Sequence, residues 1–436
     1  MKIKLIHISF IFSLLLYQTA ISQETKNISI NQAIELALQN HPQLAVSKTS
    51  VEINQQQAKV AALQRIPTLN FSATASYLGD VFLLDKNFGN KVDVDIPNFG
   101  NTFGLQAVQL LYKGGLINKS IEAANLKTQL SELDLEKDKQ NIKFLVISNY
   151  LDLIRIENQL RVLENNKKLA EERLKNVQKF YEQQMITRNE VIRAQLAIQN
   201  LNQIILTATN NRSIVNYQLN IALGFQEGTI IKPLHQNSLL QQENSLDYYY
   251  LLSSNNNPLY KSGLKNIEIA EKNIEIIKTD RFPSLSAFGG YNMQRPLMNS
   301  FPARDVYLNA WQVGLSLNYS LDNIYKTKAK LKSGKLLKNQ ASEVLHLTEQ
   351  NLKTAINAAY VKYNEAIAQE KIALESKRLA DENYKITEAK YLNQLAVQAE
   401  MIDAQNQKIQ ADIDYENALI NIEFQYYNLI KATGTL

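Results

Sequence analysis

The 436-residue chain contains no cysteine, and two long stretches contain neither glycine nor proline. The absence of cysteine excludes disulfides, thiolate metal ligands and a lipid-modified N-terminal cysteine. The two stretches run from Leu116 to Leu223 and from Lys335 to Thr433. Ordinary globular helices have about 11–12 residues, and glycine and proline are the residues that most disfavour a helix. Each stretch therefore predicts helices of several tens of residues with at most one turn. A 65-residue helix is about 100 Å long, so such helices span a distance.

Histidine is rare, and neither sign of charge dominates. The four histidines, His7, His41, His235 and His346, are widely separated and lack metal-ligand spacing. No nucleophile motif or phosphate-binding loop occurs, so we expect neither an enzyme nor a cofactor. The chain has 47 basic and 42 acidic residues, which is too balanced to indicate nucleic acid binding.

Only the N-terminus carries a long apolar run. Lys2 and Lys4 precede the apolar segment 6–17, and small residues follow at 19–22. This pattern predicts a signal peptide over residues 1–22, leaving Gln23 as the mature start. A membrane anchor is the alternative, but the run is shorter than the roughly 20 residues that a span needs.

The chain is an internal duplication. Asn40-His41-Pro42 and Arg65-Ile66-Pro67 recur as Asn256-Asn257-Pro258 and Arg281-Phe282-Pro283, displaced by 216 positions. Further on, the displacement is 210 and stays constant. The matching pairs there are Tyr150 and Tyr360, Tyr181 and Tyr391, Glu190 and Glu400, Ala194-Gln195 and Ala404-Gln405, Tyr217 and Tyr427, and Gly224 and Gly434. The displacement falls by six residues because the loop after Arg-x-Pro is longer in the first copy.

The duplication defines the predicted domains. The first repeat covers 23–227, a linker or equatorial segment covers 228–257, and the second repeat continues over 258–436. Short helices begin each copy: one from Ile30 to Asn40, capped by Ser29 or Asn31, and one from each Asn-x-Pro proline, which suits a first helical turn. In the first copy we expect strands at about 68–78 and 102–112 and long helices at about 116–183 and 187–223. In the second copy we expect a helix at about 258–280, strands at about 284–293 and 306–319, and long helices at about 325–392 and 397–433.

The predicted strands have two different faces. Apolar residues alternate with polar ones, a period of two that indicates a strand with one apolar side. The apolar positions include Leu69, Phe71, Trp311, Val313 and Leu315. A soluble sandwich also alternates, but each segment has about the length of a tilted membrane strand. Four strands cannot close a barrel; two chains would give eight strands and almost no lumen, and three would give twelve and a channel.

The long helices carry apolar residues at three-and-four spacing. Leu160, Leu163, Ala170, Leu174, Val177 and Tyr181 form one such line. Charged, amide and small residues occupy the other faces. The mixture suits the wall of a tube, whose helices contact two neighbours and a wet interior. A non-channel coiled-coil rod of the cell envelope is the alternative.

These features together resemble the outer-membrane efflux protein family, the TolC-like channels of Gram-negative bacteria. The resemblance covers essentially the whole mature chain. Its motifs are Asn-x-Pro, Arg-x-Pro and the turn between the long helices, which reads Tyr-x-x-Gly-x-x-(Thr/Ser)-x-x-Asp-Val-Leu-x-Ala-Gln in the family. Tyr181 to Gln195 and Tyr391 to Gln405 align with this turn: the tyrosine, the acid position and Ala-Gln are kept in both copies, and Gln184 and Gln394 replace the glycine.

The resemblance implies a mainly helical fold with a small strand part. Long antiparallel helical hairpins would form a periplasmic α-barrel, and four strands per chain would contribute to a twelve-stranded outer-membrane β-barrel in a homotrimer. The implied function is export from the periplasm, or from an inner-membrane pump, in a tripartite efflux or type I secretion system. The implied partners are outer-membrane lipid, a periplasmic membrane-fusion adaptor and an inner-membrane transporter of the RND, ABC or MFS class. The exported substrate is left open.

The resemblance also implies a site at the helix turns. Glu400 and Asp403 match the acidic pair of the family's periplasmic constriction, and Glu190 matches the acid of the first-copy turn. In the family this acid can pair with an arginine, whose position is Ala396 here. The turn residues that match the adaptor-contacting region are Met185, Ile186, Thr187, Leu395, Ala396 and Val397. Independently of the family, Glu400 and Asp403 are three residues apart and share a helix face, and rings of carboxylates favour cations.

Overall fold

Helices account for most of the fold, with a smaller strand part. The computed structural model describes residues 25–234, 244–298, 300, 303–393 and 395–436, so the predicted signal peptide lies outside the described residues. The helices are α1 (Ile30–Asn40), α2 (Pro42–Ala62), α3 (Leu116–Glu182), α4 (Arg188–Leu223), α5 (Leu246–Asn256), α6 (Pro258–Lys278), α7 (Asn323–Leu392) and α8 (Gln398–Thr433). The strands are β1 (Thr25–Ile28), β2 (Thr68–Tyr77), β3 (Val81–Leu83), β4 (Val92–Val94), β5 (Phe99–Tyr112), β6 (Ile230–Pro233), β7 (Ser284–Arg295) and β8 (Leu308–Asn318).

The helix ends follow local sequence chemistry. Ser29, rather than Asn31, caps α1: its side chain accepts from the Gln32 backbone, and the Gln32 side chain accepts from the Ser29 N–H at 2.9 Å. This reciprocal pair satisfies two amide groups that a helix start leaves free. Gly224 and Gly434 close α4 and α8 with φ of 76° and 79°, the left-handed conformation that favours glycine.

The two copies close in the same way, because an asparagine near each Asn-x-Pro contacts the closing glycine. The Asn40 side-chain amide donates to the Leu223 carbonyl at 2.9 Å, and that of Asn257 donates to the Ala432 carbonyl at 3.1 Å. A Cβ at Gly224 would lie 2.8 Å from Asn40, and one at Gly434 would lie 2.5 Å from Asn257. Thus the motif and the glycine, which are separate features of the sequence, are partners in the fold.

The chain divides into two compact units. The first contains residues 25–48, 134–260 and 348–436, except those outside the description. One of its cores surrounds Tyr150, which is 1% exposed and bonds the Ile28 and Leu234 carbonyls at 2.9 and 3.1 Å. Burial raises the pKa of the Tyr150 phenol to about 12. Of the predicted heptad line, Leu163, Ala170 and Val177 are buried. Tyr181, in the last turn of α3, is exposed.

The second unit contains residues 49–133 and 261–347 and is built on a sheet of order β2-β5-β7-β8, with every pair antiparallel. The register brings apolar side chains of both copies into rows on one face, such as Phe71–Leu105–Tyr291–Trp311. The neighbouring row, on the opposite face, is Asn70–Gln106–Gly290–Gln312. The sheet is therefore amphipathic, as the alternation predicts. None of the described helices is long and apolar enough to cross a membrane.

Candidate functional site

Both long hairpins turn in the same way within the first unit. Where α3 ends, the Met185 N–H donates to the Phe180 carbonyl at 2.9 Å and the Gln184 N–H donates to the Tyr181 carbonyl at 2.8 Å. Where α7 ends, the Leu395 N–H donates to the Lys390 carbonyl at 2.8 Å. The bonds of the first turn form the Schellman motif, which satisfies the last carbonyls of a helix and places one residue in the left-handed conformation.

Gln184 is that left-handed residue, with φ of 61°. A residue with a Cβ is strained there by about 1–2 kcal/mol. Glycine removes this strain, but its larger loss of backbone entropy on folding offsets part of the gain. We expect Gln184→Gly to stabilise the turn by about 1 kcal/mol, so the Met185 amide should exchange hydrogen about fivefold more slowly. Gln183→Gly is the matched control, because Gln183 is not left-handed. A glycine there should make the Met185 amide exchange faster. Equal effects of the two substitutions would show that the turn stores no strain.

The two turns enclose a cleft of about 350 Å³ within the first unit, which we call the turn cleft. It is lined by Phe180, Met185, Ile186, Thr187, Glu190, Tyr391, Ala396, Val397 and Gln398. Five of the six predicted turn residues lie in this lining, and Leu395, which is 77% exposed, does not. Glu190 and Ala396 both line the cleft, and no basic residue is among the lining residues.

Two oxygen atoms in the turn cleft are buried without a hydrogen-bond donor among the described residues. They are Oε2 of Glu190 and Oε1 of Gln398, and the Gln398 residue is only 2% exposed. Tyr391 beside them is 9% exposed. Burial raises the pKa of its phenol, the negative charge of Glu190 raises it further, and Arg173 opposes them. The walls of the cleft therefore cover two acceptors that lack donors among the described residues, an arrangement the sequence did not reveal.

Glu400 and Asp403 have a different environment from Glu190. Both are exposed and neither lines the turn cleft. Glu400 Oε2 accepts from the Val397 N–H at 3.2 Å, and Asp403 Oδ2 accepts from the Gln407 side-chain amide at 2.8 Å. The three predicted acids thus divide into one half-buried carboxylate facing a cleft and two carboxylates on an open helix face.

A polar network that sequence reasoning missed joins three helices near these acids. Arg173 of α3 bonds the Gln405 side-chain oxygen of α8 and donates to the Tyr384 hydroxyl of α7 at 2.9 Å. Tyr384 in turn donates to Glu388 at 2.9 Å. Gln405 belongs to the repeated Ala-Gln motif and is 3% exposed, whereas its counterpart Gln195 is exposed. The repeated motif was the only available indication of this network.

A family model described as outer membrane efflux protein matches residues 33–225 and 251–435, which is most of the chain. The chain belongs to the outer membrane efflux protein family. In this efflux family member the two matched segments correspond to the two copies, and the unmatched residues between them, 226–250, follow α4 and extend into the first turns of α5. Both the predicted family and the predicted fold class, mainly helical with a small strand part, are confirmed.

Several solved structures resemble this efflux protein in fold. CusC has 17% identity and a TM-score of 0.78, covering 96% of this chain and 95% of that chain. VceC of Vibrio cholerae has 16% identity and a TM-score of 0.76, covering 93% and 96%. The CmeC outer membrane channel of Campylobacter jejuni has 17% identity and a TM-score of 0.74, covering 93% and 85%. No curated protein matches the sequence.

Proposed function

We propose that the protein is an outer-membrane channel of a Gram-negative bacterium that exports substrates from the periplasm, or from an inner-membrane pump, to the outside. It would act within a tripartite efflux or type I secretion system. The observation that carries this proposal is the amphipathic four-stranded sheet with two unpaired edges, in a member of the outer membrane efflux protein family. The family description and the channel named among the similar structures support the same reading.

The side chains of the sheet have the pattern of membrane-spanning strands. Its apolar positions are open to the surroundings of the single chain: Trp311 is 76% exposed, Val313 74% and Phe71 73%. Lipid would cover this face, and the amide and hydroxyl side chains of the opposite face would line water. Among the described residues, β2 and β8 each pair along one edge only. Because hydrocarbon tolerates no free strand edge, the β2 edge of one copy would pair with the β8 edge of the next, and three copies would close twelve strands.

Helices of the first unit also carry apolar side chains that the single chain leaves exposed. On α4 these include Ile192, Leu196, Ile214 and Ile221. On α7 they include Val361, Ile372, Leu379 and Ile386. Exposed apolar faces of this extent mark protein interfaces. Neighbouring copies would bury them in a helical tube.

The helix turns supply the proposed entrance and docking region. Glu400 and Asp403 from three chains would place six carboxylates around the constriction. The turn residues would contact a periplasmic membrane-fusion adaptor, which couples the channel to an inner-membrane transporter of the RND, ABC or MFS class. Glu190 would stand beside the entrance, inside the turn cleft.

The proposal predicts a trimer in the outer membrane. Membranes of the native host should be fractionated and extracted with mild detergent, and the purified protein weighed by native mass spectrometry. We expect an outer-membrane protein with the mass of three mature chains, because one sheet cannot close alone. A soluble protein, or only monomers in detergent, would contradict the channel and would favour the coiled-coil rod of the cell envelope.

A further inference from the structure

We propose that the first turns of α7 bind the headgroups of anionic phospholipids in the periplasmic leaflet of the outer membrane. The binding surface is the lysine face, which we define as Lys328, Lys332 and Lys335. This inference rests on the proposed function, because it needs the sheet to lie in the outer membrane with the helices on the periplasmic side. It adds a lipid site that transport through a channel does not itself require.

The first argument is the charge of this segment. From residue 323 to residue 342 the sequence has no acid, and its six basic residues are Lys326, Lys328, Lys330, Lys332, Lys335 and Lys338. Three of these lysines pair with acids: Lys326 with Asp322, Lys330 with Asp280 at 2.7 Å, and Lys338 with Glu271 at 2.7 Å. The three residues of the lysine face are exposed and pair with no acid among the described residues. The chain itself therefore leaves the positive charge of the lysine face uncompensated.

The second argument is the arrangement of the lysine face. Its residues are spaced by four and by three positions, so they lie on one side of the helix with neighbouring Cβ atoms about 5–6 Å apart. The ammonium groups of Lys328 and Lys332 can therefore contact one phosphate, which lysine binds as a point charge. Helical side chains lean towards the N-terminus of their helix. The N-terminus of α7 follows β8 by only a few residues, so these side chains lean towards the sheet.

The third argument is the distance of the lysines from the sheet. Each strand of the sheet joins a helix at the same end, because α2 and α6 lead into β2 and β7, and α3 and α7 follow β5 and β8. Exposed apolar side chains continue from β8 into α7 as far as Tyr325, which is 67% exposed. Tyrosine is enriched where hydrocarbon gives way to headgroups. Lys328 and Lys332 lie about 5 and 10 Å further along the helix, so their side chains reach the headgroup layer, and Lys335 lies just beyond it.

The apolar neighbours of the lysine face distinguish a lipid boundary from a wet lumen. Ile324 and Tyr325 precede Lys328 by four and three residues and therefore lie on the same side of α7. Ile324 is 68% exposed in the single chain. An exposed isoleucine and tyrosine would be poorly placed against water, whereas beside a bilayer they would meet acyl chains and the interface. The combination of apolar residues followed by lysines is the pattern of segments that bind anionic membrane surfaces.

The internal duplication supplies a comparison within the molecule. At the displacement of 210 positions, the counterparts of the lysine face in α3 are Asn118, Glu122 and Asn125. Glu122 pairs with Lys272 at 2.8 Å, so the first copy offers no free positive charge at this place. The lysine face consequently occurs once in each chain and would occur three times around a trimer.

The test is native mass spectrometry of the full-length trimer in mild detergent, with equal amounts of dioleoylphosphatidylglycerol and dioleoylphosphatidylcholine as competing lipids. We expect the anionic lipid to be preferred about tenfold, since each lysine near an anionic headgroup contributes appreciably to binding. Lys328→Gln with Lys332→Gln should bring the two lipids to within twofold of each other. Because both lysines are exposed and unpaired, the trimer should form as before.

The matched control is Lys326→Gln with Lys330→Gln. It removes the same charge from the same turns of α7, but these lysines lie on the opposite side of the helix and are held by Asp322 and Asp280. The preference of this variant for the anionic lipid should stay within twofold of that of the unaltered protein. An equal loss in both double variants would show that only the total charge matters and would overturn the lysine face as a site.

The remaining outcomes separate this inference from the channel function. Failure of the unaltered protein to form a membrane trimer would overturn both. A normal trimer without a preference for the anionic lipid would overturn the lipid site alone. Sedimentation with isolated cell-wall sacculi provides the rival reading. If the Lys328 and Lys332 variant lost binding to sacculi while its lipid preference was unchanged, the lysine face would serve the cell wall and the lipid site would be overturned.

Discussion

Val313→Lys should abolish assembly of the trimer in the outer membrane, whereas Gln312→Lys should permit it. Val313 lies at the middle of β8, is 74% exposed, and stands in register with Gly289 of β7. On the apolar face a lysine at the bilayer midplane costs about 2–4 kcal/mol, which is roughly 30- to 700-fold in an equilibrium constant for each chain. A trimer would carry this cost three times.

Gln312 is a closely matched control because it neighbours Val313 at the same depth and points to the opposite face of the sheet. The measurement is the amount of heat-resistant trimer in isolated outer membranes, normalised to total expressed protein. Comparable trimer yields from the two variants would show that the apolar face does not meet lipid.

Replacing both Glu400 and Asp403 by alanine should remove most of the cation selectivity of the channel. The two exposed carboxylates lie on one face of α8, and three chains would bring six of them to the constriction. Like charges confined in a narrow lumen reinforce one another's field, so their loss should affect ion selectivity more than an isolated surface charge would. Reversal potentials in planar bilayers under a salt gradient measure the change, together with block by multivalent cations.

Trimer assembly should persist in this double variant, because neither side chain contributes to a buried core. The charge-matched control is Glu171→Ala with Glu172→Ala, two exposed acids on α3. If the control alters selectivity as much, the selectivity arises from the overall field of the helices. If the Glu400 and Asp403 variant keeps its selectivity, the constriction lies at other residues.

The long helices could be predicted from the sequence because glycine and proline are distributed so unevenly. The expected helix at 116–183 is observed at Leu116–Glu182, and the expected helix at 397–433 at Gln398–Thr433. Glycine just past a last turn is a local constraint, so the end of the second of these helices, at Gly434, is encoded nearby. The expected strand at 68–78 is likewise observed at Thr68–Tyr77, since alternation over ten residues is a strong pattern.

Short elements and tertiary surroundings could not be predicted in this way. The parallel pair β1 and β6 and the small hairpin of β3 and β4 involve only three or four residues per strand, too few for a period to emerge. Glu190 and Glu400 occupy equivalent positions of one motif, yet one is half-buried in a cleft and the other is open to solvent. That difference depends on which turn each acid faces, and a repeated sequence describes both acids identically.

The contact between each Asn-x-Pro region and its closing glycine also sets the order in which the two copies can close during synthesis. The Asn40 bond to Leu223 joins residues 183 positions apart, and the Asn257 bond to Ala432 joins residues 175 positions apart. Contacts this distant in sequence form late, because the entropy of closing the intervening segment must be overcome first. The first copy can close once Gly224 has been made, whereas the second cannot close before Gly434 has been made. The second copy is therefore the part of the chain that stays open longest during synthesis.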